Sequence, residues 1–285
     1  EVNISNLGHY RSEEDSDEAN VSTPMIMDSD LRSPQRDGLA LPNKAAYGTL
    51  YYVTQGIGIL LVLVTAIWLG RYIGGFGFAS AKQVFNYHPI LMIIGFVFIY
   101  GNAMLIYRTL RGELKPKLKL MHAILMGSIM VICSVGSLSV FYFHVKASIP
   151  HFYSLHSWLG ISTWTFFLAQ FSGGFAAYLF PGASYNVRTL MMPFHRFFGV
   201  ATFVLAAATC LTGLNEKAIF ALNGQDGYPK YTEKTAAGFL VNFVALILVA
   251  YVSLVVYLVT KPDFKRQPLP EEQVINLNFD LTSNN

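Results

Sequence analysis

Six stretches of this chain, near residues 48–70, 87–108, 119–143, 154–180, 194–214 and 236–260, are apolar over about 20 residues or more. That length is enough for a helix to cross the hydrocarbon core of a bilayer. A soluble helical core would need a polar face on each outer helix, and these stretches have almost none. Residues 89–107, 155–187 and 236–260 contain no Lys, Arg, Asp or Glu. The chain is 53% hydrophobic and 13% charged, about half the charge of a typical soluble domain. The fold class is therefore an all-α integral membrane protein with six transmembrane helices. Residues 1–47 carry nine acidic and four basic side chains and no periodicity, so they are expected to form a disordered tail. Residues 48–260 are the membrane domain, and 261–285 a second polar tail, also expected to be disordered. No soluble catalytic domain is apparent, and nothing points to a nucleic-acid partner. Membrane lipid is the implied surrounding.

Six crossings put both termini on one side. With the N-terminus in the cytosol, fourteen Lys and Arg fall on the cytosolic side and six on the other. Five of the fourteen lie in the short stretch YRTLRGELKPKLKL. Excess Lys and Arg in short cytoplasmic loops sets orientation, so both termini are expected to be cytosolic. Cys133 and Cys210 both lie in apolar runs without a C-x-x-C partner. They read as small buried residues rather than as a disulfide framework or zinc site.

Histidines give the chain its most specific pattern. His88, His122, His156 and His195 each lie in the first turns of a different span, the second to the fifth. Consecutive spans alternate in direction. His88 and His156 therefore fall near the non-cytosolic face, and His122 and His195 near the cytosolic face. An imidazole in a span is costly without a partner or a task, and a neutral imidazole nitrogen is a good axial ligand for haem iron. Two pairs at two depths would suit two haems, each held by two imidazoles, forming a path for electrons across the bilayer. Two other readings stay open on the pattern alone. The histidines could be interfacial groups that bond between helices. They could also serve a non-redox metal-binding or transport protein, which would usually recruit an acid at midplane, and no span contains one internally.

The run FNYHP, YRTLRGELKPKLKLMH, FYFHVKASIPHFYSLHSW, FPGAS, VRTLMMPFH, LTGLNEK and KPDFKR resembles the cytochrome b561 family. The likeness is greatest to its ascorbate-dependent secretory-granule type, and the duodenal ferric reductase is a related form. It covers about residues 50–267. The resemblance implies a four-helix core of spans two to five holding two haem b groups, with axial pairs His88–His156 and His122–His195. It implies an enzyme that passes electrons from cytosolic ascorbate to a non-cytosolic acceptor, either monodehydroascorbate or ferric ion. It further implies a homodimer in a secretory-vesicle, endolysosomal or plasma membrane.

Ascorbate is a monoanion at neutral pH and calls for fixed positive charge. Lys115 and Lys119 lie seven and three residues before His122, on one face if the helix reaches back past Pro116. Arg188 lies seven before His195. The resemblance places Lys115, Lys119, Tyr178 and Arg188 at a cytosolic ascorbate site, although the same bases also obey the positive-inside rule. On the opposite face it places Phe143, His144 and Tyr153 at the acceptor site, against the alternative of an interfacial aromatic belt. His144 could take up the proton that ascorbate chemistry requires. His151 reads as solvent-exposed. Arg196 could meet a haem propionate or reach to the interface. Trp158, Phe167 and Phe171 read as packing.

Overall fold

The computed structural model describes residues 44–272. The expected N-terminal tail up to residue 43 and residues 273–285 lie outside the described residues. The long elements are α1 (Lys44–Ile67), α5 (Lys115–Ala147), α6 (Leu155–Tyr178), α7 (Tyr185–Ala221) and α8 (Ala236–Thr260). The second span is built in pieces: α2 (Ala81–Phe85), α3 (Tyr87–Met92), a π-helical stretch (Ile93–Ile99) and α4 (Tyr100–Thr109).

Among the described residues, five stretches are long and apolar enough to cross a membrane: Ala45–Tyr72, Ala81–Thr109, Lys115–Ala147, Tyr185–Ala221 and Ala236–Thr260. The protein is a helical membrane protein. α6 is the sixth long helix. Its 24 residues reach about 36 Å and carry no Lys, Arg, Asp or Glu. Its Ser, Thr, Gln and Gly leave it less apolar than the other five. Several helices outrun the apolar stretches read from sequence. α7 covers Tyr185–Ala221 where hydropathy marked only 194–214, because hydropathy registers contact with lipid and not the end of backbone pairing.

α6 packs chiefly on α7, α1 on α8, and the pieces of the second span on α5. The π-helical stretch explains one lock between them. Irregular pairing there leaves the Phe98 carbonyl open to side chains. It accepts from Tyr251 Oη of α8 at 3.1 Å and from Asn102 Nδ2 at 2.9 Å. Gly101 makes room, since a Cβ there would stand 2.7 Å from the Tyr251 hydroxyl. Trp68, fully buried, donates to the Ala237 carbonyl at 3.1 Å and ties α1 to α8. Midway along the bundle Phe96, Tyr100, Trp164, Phe167 and Phe203 form an edge-to-face cluster. Phe167 is therefore core packing, whereas Trp158 is 66% exposed.

The polar segment after α8 departs from the sequence expectation. Residues 261–272 do not leave the bundle as a loose tail but fold back across its end. Phe264 is 2% exposed and sits edge-on to Tyr47. Arg108 donates to the Lys261 carbonyl at 2.5 Å, and Arg111 to the Phe264 carbonyl at 3.1 Å. Arg266 grips both oxygens of Glu272 at 2.8 Å and donates to the Glu113 carbonyl at 2.8 Å. Glu272 Oε1 accepts the Lys115 backbone N–H at 2.8 Å. A polar stretch reads as loose in sequence because its partners are backbone carbonyls and one internal acid, which carry no hydropathy signal.

The hydrogen bond from Arg266 is the main cause that pushes the Glu272 carboxyl down to about 2. A carboxyl whose folded pKa lies below its unfolded value stabilises fully above the unfolded value, near 4.3, and loses that contribution as pH falls toward the folded one. Limited proteolysis should find the C-terminal segment protected at pH 7 and progressively cut by an acid protease between about pH 4 and pH 2. Arg266→Ala should expose it already at pH 7.

Candidate functional site

The four span histidines converge in two pairs, one toward each end of the bundle. His88 opens α3, just after Asn86, whose buried Nδ2 donates to the Ile73 and Gly75 carbonyls at 2.8 and 2.7 Å. This pins the start of the helix to the preceding loop. His156 lies in the first turn of α6, where Ser154 and Ser157 form a reciprocal capping box at 3.3 and 3.2 Å. Such a box satisfies orphan N–H groups and fixes where the helix begins. The rings of His88 and His156 lie 6.0 Å apart, nearly perpendicular at 83°.

At the other end His122 of α5 and His195 of α7 lie 6.4 Å apart at 78°. α5 does begin at Lys115. Pro116 falls in its first turn, where its missing N–H would have had no helical partner. Lys115, Lys119 and His122 therefore belong to one continuous helix.

Three of the four rings are oriented in the same way. His88 Nδ1 meets the Gly136 carbonyl of α5 at 3.1 Å, and His122 Nδ1 the Ala103 carbonyl of α4 at 2.8 Å. His156 Nδ1 meets the Thr209 carbonyl of α7 at 3.0 Å. A carbonyl accepts, so Nδ1 carries the proton and Nε2 keeps its lone pair. This second contact is the one that fixes tautomer and ring orientation in metal-binding histidines. His195 has no such bond among the described residues. It packs instead on Gly174 and on the Tyr178 ring, 5.5 Å away.

Beside His122 and His195 lies a basic group. Lys119 Nζ donates to the Tyr178 carbonyl at 3.2 Å, and the Tyr178 hydroxyl donates to the Arg188 carbonyl at 3.3 Å. Lys119, Tyr178 and Arg188 are thus brought together next to His195. Lys115 is exposed and joins them from the first turn of α5, with its backbone held by Glu272. Arg196 is exposed and lies close enough to Tyr178 and Arg108 to act on both electrostatically. Arg111 is tied to the C-terminal segment rather than standing as surface charge.

At the end of His88 and His156 a cavity of about 740 Å³ opens, walled by both histidines, Phe143, His144 and Tyr153. Phe143 meets Phe85 edge-on at 5.0 Å. His144 stacks on His151 at 5.3 Å and 15°, so His151 is exposed, as read, yet belongs to the cavity mouth. Tyr153 is 56% exposed at the rim. Two wall residues went unread in the sequence, Phe85 and Lys217. Lys217 in LNEK, three residues past the apolar stretch 194–214, was the available signal, but it was counted toward orientation and given no role at the site.

The profile of the eukaryotic cytochrome b561 family matches residues 87–221. The chain is 44% identical over 231 residues to the transmembrane ascorbate-dependent reductase CYB561 of Sus scrofa, covering 80% of this chain and 89% of that protein. The chain belongs to the cytochrome b561 family. It is 35% identical over 236 residues to a putative homologue of that reductase in Caenorhabditis elegans, covering 80% of this chain and 88% of that protein. It is 37% identical over 216 residues to the lysosomal membrane ascorbate-dependent ferrireductase CYB561A3 of Mus musculus, covering 75% and 88%.

The family is haem-binding, and the residues present fit such a group. Bonds of about 2 Å from iron to each imidazole nitrogen would hold two ring centroids about 6 Å apart, which is the spacing of both pairs. Two glycines make that spacing feasible. A Cβ at Gly213 would stand 2.6 Å from His156 Cε1, and one at Gly174 would stand 3.0 Å from His195 Cε1. Gly213→Ala should therefore displace the His156 ring. The expected result is a fall in haem per protein, measured by pyridine haemochrome, with Gly173→Ala as an unaffected control because nothing lies within 4 Å of its Cβ position.

Proposed function

We propose that this protein is an ascorbate-dependent transmembrane oxidoreductase that takes electrons from ascorbate on the cytosolic side and delivers them to a non-cytosolic acceptor, monodehydroascorbate or ferric ion. Two b haems would be held by His88 with His156 and by His122 with His195. When bound, each supplies a one-electron iron couple, and the rest is the work of the chain. The observation that carries this reading is the gathering of four imidazoles from four spans into two pairs, one with a basic group beside it and the other open to a cavity. The relatives named as ascorbate-dependent reductases and ferrireductase support the donor, and the ferrireductase supports the ferric class of acceptor.

Lys119 and Arg188 supply positive charge for the ascorbate monoanion, with Lys115 at the approach. Tyr178 links the two through its own carbonyl and hydroxyl, so donor charge and the His195 ring are held in one piece. At the far end His144 exchanges the proton that accompanies the ascorbate couple, with Phe143 and Tyr153 shaping the entrance. The termini are cytosolic in this reading, which puts the C-terminal segment and the start of α5 on the donor side. The arrangement argues against metal transport without redox. The imidazoles form separate pairs, and among the described residues no group of three or more His, Cys, Asp or Glu converges.

His156→Ala should remove one of two haems and leave the other, read from the reduced α-band and haem-to-protein ratio. Retention of both would refute the pairing. In proteoliposomes, Lys119→Glu should slow reduction by donor-side ascorbate about tenfold or more, as expected for reversing a charge that a bound anion meets, and leave re-oxidation by external ferric complex unchanged. Equal slowing of both half-reactions would count against the donor-site assignment.

A further inference from the structure

Two lysines line the cavity at the His88–His156 end, and they differ in one respect. Lys82 Nζ is spent on Asp226, 2.6 Å away, in an exposed pair at the mouth. Lys217 reaches inward from α7 and has no carboxylate within ion-pair distance among the described residues. Its ammonium instead lies 4.1 Å from the centre of the Phe85 ring. That ring is itself wedged between Phe143 at 5.0 Å and His88 at 5.9 Å.

A lysine in the last turns of a helix is favoured by the dipole, and near a membrane interface it ordinarily turns its charge to water. Lys217, half-buried, turns into the cavity and onto the Phe85 ring instead. An aromatic face offsets only part of the cost of desolvating an ammonium, and buried charges are as a rule paired. Glu216 does not fill that role. It also lines the cavity, but as the next residue on the helix it does not face Lys217, makes no ion pair with it and acts on His144. The cavity thus presents one unpaired cation beside the Phe85 and His88 rings, in walls that are mainly apolar, with Glu216 as the nearest acid in the chain.

We propose that Lys217 is an anion-binding residue of this cavity, holding an enolate or carboxylate oxygen beside the His88–His156 pair. The proposal rests on the reading of the cavity as the acceptor end and adds to it the charge class of what is held. The oxygen has two sources of one chemistry. It belongs either to an anionic acceptor of the ascorbate type, which takes one electron there, or to a carboxylate of the bound cofactor.

Proteoliposomes loaded with ascorbate and offered external one-electron acceptors of opposite charge separate the sources. If the acceptor supplies the oxyanion, Lys217→Gln raises KM for ferricyanide about tenfold and leaves KM for hexaammineruthenium(III) unchanged or lower. If the cofactor supplies it, both acceptors respond alike, and in a dithionite titration of the detergent-solubilised protein the midpoint of one centre falls while the other holds. Loss of one centre in Lys217→Gln but not in Lys217→Arg reports the same source. Either pattern, with Lys217→Arg near wild type, upholds the anion site. Unchanged KM for both acceptors together with unchanged midpoints overturns it. The titration needs no ascorbate. Wild-type liposomes that pass no electrons from ascorbate would sink the proposed function while leaving Lys217 to be judged on the potential alone.

Discussion

Three backbone carbonyls hold the arrangement together. Gly136, Ala103 and Thr209 lie on helices other than those carrying the histidines they orient. Each carbonyl belongs to a helix and can accept more than one bond; those of Gly136 and Thr209 also accept from Ser139 and Thr212. Each bond therefore does two things. It fixes a ring tautomer, and it ties one helix to another: α3 to α5, α5 to α4 and α6 to α7. In a bilayer, where helices gain little by hiding apolar surface from one another, such bonds and close backbone approach carry much of the specificity. The bundle and the site are thus one construction.

The same economy governs the second span. Within its broken course of two short helices, a π-helical stretch and α4, the Phe98 carbonyl accepts from Tyr251 and Asn102, and Tyr100 donates to the Gly199 carbonyl of α7 at 3.1 Å. One irregular span is in this way bonded to α7 and α8 at midplane while its first turns carry His88. The fully buried Tyr100 and Phe167 fill the centre between the two histidine pairs.

What could be read from sequence follows from how each feature is encoded. Helix number and direction, and hence the partnering of His88 with His156 and of His122 with His195, follow from hydropathy and alternation. Those depend on many residues at once and survive local surprises such as the π-helical stretch. Lys119, Tyr178 and Arg188 come from three separate elements. Charge logic reached the two bases, while Tyr178 came only through the family resemblance. Three things were not legible. The folding back of residues 261–272 depends on carbonyl acceptors, which every sequence has. The orienting bonds depend on which carbonyl faces which ring. The inward turn of Lys217 depends on the placement of Phe85 from another helix. Each is a pairing between distant backbone or side-chain atoms with no local signature.

The two ends of the bundle differ in how charge is placed around them. At the end of His122 and His195, charge is plentiful and held firmly. Lys119 and Tyr178 are bonded, and the first turn of α5 is anchored through the Lys115 N–H by Glu272, itself gripped by Arg266. An anion arriving there meets several cations, of which the Lys119 ammonium is held by the Tyr178 carbonyl, and such a patch favours capture from solution. At the end of His88 and His156 the walls are mainly apolar, the rim is aromatic, and one lysine at the mouth is neutralised by Asp226. Fewer, deeper contacts there favour selection over capture. The asymmetry lies in the loops and helix ends, not in the imidazole pairs, whose spacings of 6.0 and 6.4 Å are nearly the same. The two histidine pairs are thus alike while their surroundings differ, so substitutions at either end can alter what that end meets without disturbing the core that both share.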